Sequence, residues 1–160
     1  MKNIILAAVA AVSLAATSAF AGQTYVEGAV GSTQGKNLAE SATVGYSWSR
    51  SVSTELTYDH VAGTTDRNAL MANAVVSPVR LPLVHPYVFG GVGVGFDGLG
   101  EVSADLQKVG STRTVWDAGV GTLLPVTHDL AFDGRYTHID FFNGRGRAAD
   151  LLSVGVRYTF

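Results

Sequence analysis

The chain has 160 residues, with 13 acidic and 11 basic side chains for a formal net charge of −2, 19 glycines, no cysteine and 47 % hydrophobic residues. The acidic balance and the lack of a clustered basic stripe exclude a nucleic-acid partner, and the missing cysteines exclude thiol chemistry and disulfides. So much glycine beside so much apolar surface suits neither a disordered chain nor an ordinary helical domain, because glycine weakens helices while apolar side chains demand burial.

At the N-terminus Lys2 supplies one positive charge, residues 4–16 form an apolar run, and Ala19-Phe20-Ala21 is a small-x-small site before Gly22. This is the layout of a cleaved secretory signal peptide. A membrane-spanning helix needs roughly 20 apolar residues, and Thr17 and Ser18 dilute this run too early. Cleavage is expected between Ala21 and Gly22, so residues 1–21 are the leader and residues 22–160 one exported domain.

Beyond the leader, alternating segments are predicted at 23–31, 41–48, 52–61, 68–77, 85–96, 112–123, 129–141 and 150–160. Each is about ten residues, the length of a tilted transmembrane strand. The connections at 48–52, 77–85 and 123–129 are short and hold Pro78, Pro82 and Pro125; those at 31–40, 62–67, 97–111 and 142–149 are more polar and mostly longer. Short turns on one side and long loops on the other are the habit of outer-membrane barrels, with the short turns facing the periplasm. The expected fold is all-β, an eight-stranded antiparallel up-and-down transmembrane barrel with both termini on the periplasmic side.

Period 2 sorts each strand into two faces. One is apolar, with Ala42, Val44, Tyr46 and Trp48, then Val88, Val92, Val94 and Phe96, then Trp116, Ala118 and Val120, then Leu130, Phe132 and Tyr136; it is assigned to lipid. The other carries Glu27, Glu55, Asp59, Asn73, Asp117, Asp133, Arg135 and Arg157, tolerable only inside the barrel. A soluble sandwich or lipocalin shares the alternation but would turn the apolar face inward. Outward aromatics fall near strand ends, Trp48, Tyr158 and Phe160 at one side and Tyr58, Phe96 and Tyr136 at the other, as in interfacial girdles.

The leader, the stretch from Pro86 to Gly95 (PYVFGGVGVG), the stretch from Leu130 to Tyr136 (LAFDGRY) and the ending SVGVRYTF together resemble the small eight-stranded outer-membrane barrels of Gram-negative bacteria, the OmpA-like, OmpX-like and opacity-protein group. The resemblance covers the whole mature chain through weak patterns of glycine and aromatic placement. It implies a location in the outer membrane, contact with its lipids and lipopolysaccharide, and insertion by the barrel-assembly machinery, for which Tyr158 and Phe160 look like the assembly signal. The group spans adhesins, resistance factors and structural anchors, so fold alone does not give activity.

An eight-stranded barrel is just wide enough to be filled by side chains, so the inward charges must pair there. Glu27 is expected to face Arg157 across the seam of the first and last strands, and Arg135 to bridge Asp117 and Asp133. A side-chain-plugged lumen leaves the external loops as the contact surface for an extracellular ligand, and the expected role is structural or surface-interaction, by a monomer without catalysis. A narrow channel for small solutes is the alternative. A lipid A-modifying enzyme is another: His138 stands near the rim as the catalytic His does in outer-membrane lipid A deacylases, but Asp140 and Phe141 occupy the positions where those enzymes keep Ser and Asn.

No cofactor or metal is expected. The Gly93–Gly98 run matches a dinucleotide fingerprint only literally, with no βαβ context, and His60, His85, His128 and His138 are scattered without ligand spacing. Leu99, Val102, Leu106 and Val109 recur at helical spacing in the longest loop, and Arg145 and Arg147 in the last loop could attract lipopolysaccharide phosphates.

Overall fold

A computed structural model describes residues 22–34, 37–62, 67–79, 81–97, 113–142 and 148–160. The leader with Ala19 and Ala21, the helical spacing at 99–109, and Arg145 and Arg147 lie outside these residues. Eight strands follow in chain order: β1 Gln23–Thr33, β2 Leu38–Ser47, β3 Val52–Val61, β4 Arg67–Val76, β5 His85–Asp97, β6 Arg113–Pro125, β7 Leu130–Phe141 and β8 Ala149–Thr159. They match the predicted segments to within three residues at each end.

Every strand pairs antiparallel with its sequence neighbour, and β1 also pairs with β8, closing the sheet into a barrel. A closed sheet meets its backbone hydrogen bonds internally, which is the condition for β structure in hydrocarbon. The short turns have their own local chemistry. Ser49 Oγ accepts from the N–H groups of Ser51 and Val52, and Thr127 Oγ1 does the same for Asp129 and Leu130; hydroxyl side chains stabilise turns in this way.

The two faces divide as alternation demands. Glu27, Glu55, Asp59, Asp117, Asp133, Arg135 and Arg157 are all buried, whereas Leu152 and Val154 on the outside are 64 % and 65 % exposed. Val30, Val92, Val120 and Phe132 join them in an apolar outer surface. Charge inside and hydrocarbon outside is the reverse of a soluble sandwich or lipocalin, and it fits a barrel whose solvent is lipid. At the end bearing the short turns, Tyr46 packs edge-on against Trp48 and Tyr158 against Phe160. Phe160 is tied to β1 by its N–H, which donates to the Thr24 carbonyl at 2.9 Å.

The interior is layered. Val75, Tyr87 and Phe89 form an apolar cluster with Leu123 toward the turn end. Ala39, Met71, Val115 and Leu151, all almost completely buried, add further apolar packing within the lumen.

Candidate functional site in the barrel lumen

The inward charges converge on a single network. The register sets Glu27 of β1 opposite Arg157 of β8, and Arg157 Nε donates to Glu27 Oε2 at 2.9 Å. Arg157 Nη2 also lies 3.0 Å from Glu55 Oε1 and 3.6 Å from Asp133 Oδ2. Arg135 grips Glu55 with both terminal nitrogens, Nη1 to Oε2 at 3.1 Å and Nη2 to Oε1 at 3.2 Å. The same Nη2 reaches Asp133 Oδ2 at 3.3 Å, and Glu27 Oε1 lies 3.8 Å away. Two guanidiniums thus hold three carboxylates drawn from β1, β3 and β7, the fork-to-carboxylate geometry for which arginine is suited.

Two tyrosines complete the network, and the sequence reading did not include them. Tyr25 donates to Glu55 Oε1 at 2.8 Å. The Tyr87 hydroxyl donates to Asp133, 2.6 Å from its Oδ2, and accepts from Arg135 Nε at 2.9 Å. Arg157 sits over the Tyr25 ring with its guanidinium carbon 4.1 Å from the centroid, and Arg135 over Phe89 at 4.8 Å, so the cations gain ring contacts as well as ion pairs.

Each tyrosine reaches its partner by lying across a glycine on the intervening strand. Gly45 stands between Tyr25 and Glu55 in the register, and a Cβ there would come 2.1 Å from the Tyr25 ring. Gly121 stands between Tyr87 and Arg135, and a Cβ there would come 2.2 Å from the Tyr87 ring. The available signal was an inward tyrosine two strands away from an inward charge with glycine between them.

Asp117 corrects an expectation: Arg135 meets Asp133 but not Asp117. The register pairs Asp117 with Ile139 and Gly121 with Arg135, so Asp117 stands four residues farther along β6, on the order of 13 Å at the usual strand rise. Its partner is Asn73, reached across Gly91. Asp59 also lies outside the arginine network and accepts from Ser41.

The network divides the lumen. A vestibule of about 180 Å³ opens at the turn end, with Tyr25, Tyr87 and Arg157 among its lining residues. At the loop end a cavity of about 60 Å³ is lined by groups that include Val115, Ile139 and Phe141. Between them lies a pocket of about 10 Å³, room for about one water-sized particle.

Outside the lumen, His138 of β7 points to the outer face beside Trp116, with ring centroids 5.6 Å apart. Its Nδ1 is 2.7 Å from Asp150 Oδ1, which also accepts from the Tyr136 hydroxyl at 2.7 Å. Asp140 accepts from the Phe141 N–H. Among the described residues no group of three or more His, Cys, Asp or Glu side chains is arranged to hold a metal.

A closed eight-stranded sheet with a lipid-compatible exterior and an ion-paired, ring-packed interior defines a small outer-membrane β-barrel. The chain belongs to the outer membrane protein beta-barrel domain family, which matches residues 4–160. Among solved structures it is similar to the N-terminal β-barrel domain of Pseudomonas aeruginosa OprF, at 16 % identity and a TM-score of 0.70, covering 87 % of this chain and 99 % of that one. It is also similar to Neisserial surface protein A, at 18 % identity and a TM-score of 0.62, covering 87 % and 96 %. The outer membrane enzyme PagL shares the fold at 14 % identity and a TM-score of 0.56, covering 84 % and 98 %. No curated protein sequence matches.

Proposed function

We propose that this protein is a non-catalytic envelope barrel, a monomer whose sealed lumen gives a rigid anchor and whose external loops make its structural or surface contacts. The observation that carries this reading is the network of Glu27, Glu55, Asp133, Arg135 and Arg157, roofed by Tyr25 and Tyr87, which occupies the lumen cross-section. The apolar outer surface is the contact with outer-membrane lipids and lipopolysaccharide, and the Tyr158–Phe160 ending is the segment offered to the assembly machinery.

The test is conductance in a planar lipid bilayer together with envelope integrity of cells lacking the protein. A silent bilayer and detergent-sensitive cells are expected; discrete ion-conducting steps at low voltage would replace the anchor with a channel.

A hydrolase reading draws on one observation, the His138–Asp150 pair at 2.7 Å on the outer face. Residue 140 offers a carboxylate where a hydroxyl nucleophile would be needed. Mass spectrometry of lipid A from cells with and without the protein is expected to give identical profiles, and loss of an acyl chain would establish the enzyme.

A further inference from the structure

The three connections at the turn end differ in length and chemistry. Those between β2 and β3 and between β6 and β7 have four residues each, and carry Ser49, Arg50 and Ser51 or Thr127, His128 and Asp129. The connection from β4 to β5, residues 77–84, has eight. It reads SPVRLPLV, with Arg80 as its one charge, and Val79, Leu81 and Leu83 are 51 %, 52 % and 79 % exposed. A run of uncovered apolar side chains on a surface marks contact with a partner or a membrane.

Position points to lipid. The ring contacts that mark the girdle at the turn end, Tyr46 with Trp48 and Tyr158 with Phe160, lie on or just beyond β2 and β8. Near the same end of β3, β4, β5 and β6 the outward positions carry Val52, Val76, Val88 and Leu124, with no aromatic residue among the described residues. In the closed ring β4 and β5 stand opposite the seam of β8 and β1, so the 77–84 connection falls on the side that the aromatic girdle leaves bare. It also continues the lipid-facing wall, because Val76 and Val88 pair at its root and both are exposed.

The backbone agrees. A segment leaving water for a membrane must have few open N–H groups. Pro78 and Pro82 have none to satisfy. The Ser77 N–H donates to the Ser51 carbonyl at 2.9 Å and the Leu81 N–H to the Val84 carbonyl at 3.0 Å. Ser77 Oγ donates to the Pro86 carbonyl at 2.9 Å, which pins the start of the connection to β5. A single cation beside such a segment is tolerable, since a long basic side chain keeps its head among polar headgroups while its stem lies along apolar surface.

We propose that the 77–84 connection is a lipid anchor, with Val79, Leu81 and Leu83 seated in the headgroup region of the periplasmic leaflet beneath the half of the barrel that lacks aromatic residues. Interfacial anchors set how a spanning element tilts and how deep it sits, so this one would balance the aromatic residues across the ring. The inference rests on the barrel lying in a bilayer and is independent of what the loops contact.

The experiment uses the absence of native cysteine. Leu83→Cys, Val154→Cys on the lipid-facing wall and His128→Cys, whose side chain is 90 % exposed at the turn end, are each nitroxide-labelled in the mature barrel refolded into phosphatidylcholine–phosphatidylglycerol vesicles. Power saturation of the electron spin resonance then compares collisions with oxygen, which concentrates in lipid, and with a water-soluble nickel chelate. The oxygen-to-nickel ratio at residue 83 should exceed that at residue 128 several-fold and approach that at residue 154. A ratio at residue 83 equal to that at residue 128, with residue 154 still reading lipid, would overturn the proposal and leave the connection as a surface for a periplasmic protein. A nickel-accessible label at residue 154 would instead overturn the membrane placement of the whole barrel, so the two failures are distinct.

Discussion

Replacing Arg157 by Ala removes the cation that Glu27, Glu55 and Asp133 share at 2.8, 3.0 and 3.6 Å. At an effective dielectric constant near 20, one charge pair about 3 Å apart attracts by roughly 5 kcal/mol. Returning the arginine to water offsets much of that, but the abandoned carboxylates stay buried, and removal of one partner from a buried pair costs about 3–5 kcal/mol. The expected loss for Arg157→Ala is therefore about 3–5 kcal/mol of unfolding free energy. Arg157→Lys keeps the charge but loses the fork, and should forfeit about 1.5–3 kcal/mol, the worth of a charged hydrogen bond. Urea unfolding in lipid vesicles, followed by tryptophan fluorescence and by gel mobility of unheated samples, measures both. An Arg157→Ala barrel within about 0.5 kcal/mol of wild type, the range of ordinary surface substitutions, would refute the view that the network holds the seam. The companion variant replaces both Glu27 and Arg157 by Leu and should recover most of the loss, because exchanging a whole buried pair for apolar groups is often neutral.

Gly45→Ala drives a methyl into the Tyr25 ring and should destabilise by about 1–3 kcal/mol as overpacking does. Gly28→Ala meets nothing within 4 Å and should be neutral or gain up to about 1 kcal/mol through the unfolded chain; the same urea titrations separate them. Val154→Arg places a cation at the middle of β8 on the lipid face, where the cost is about 2–4 kcal/mol, so its midpoint should fall while that of Val154→Leu does not move. Phe160→Ala should lower the amount of barrel inserted in cells while leaving refolding into detergent nearly intact. Equal loss in both settings would make Phe160 a stability residue instead of an assembly signal.

Alternation was enough to reveal the strands and their faces, because period 2 is a local property of the chain and every strand here obeys it. The Glu27–Arg157 seam was legible too, since closing an even number of strands leaves the first beside the last. Register away from that seam was not legible, and that is why Arg135 was matched with Asp117: facing gives direction across the wall, while height along the barrel depends on how far each strand slides past its neighbour. The Tyr25–Glu55 and Tyr87–Arg135 contacts skip a strand entirely, so nearest-neighbour reasoning passes over them. What makes them possible is the missing side chain at Gly45 and Gly121, visible in the sequence only as two more glycines in a glycine-rich chain.

The strands feeding the central network have a kinetic consequence. Its charged groups arrive from β1, β3, β7 and β8, so no hairpin of neighbouring strands can assemble it, and an open sheet would expose its acids to the bilayer unneutralised. Membrane entry and closure are then coupled, because β8 must dock on β1 before the carboxylates are matched. A one-residue slip at that docking would turn Arg157 toward lipid. The polar centre thus works as a proofreader of assembly, penalising every pairing of the last strand except the one that lets the ring shut.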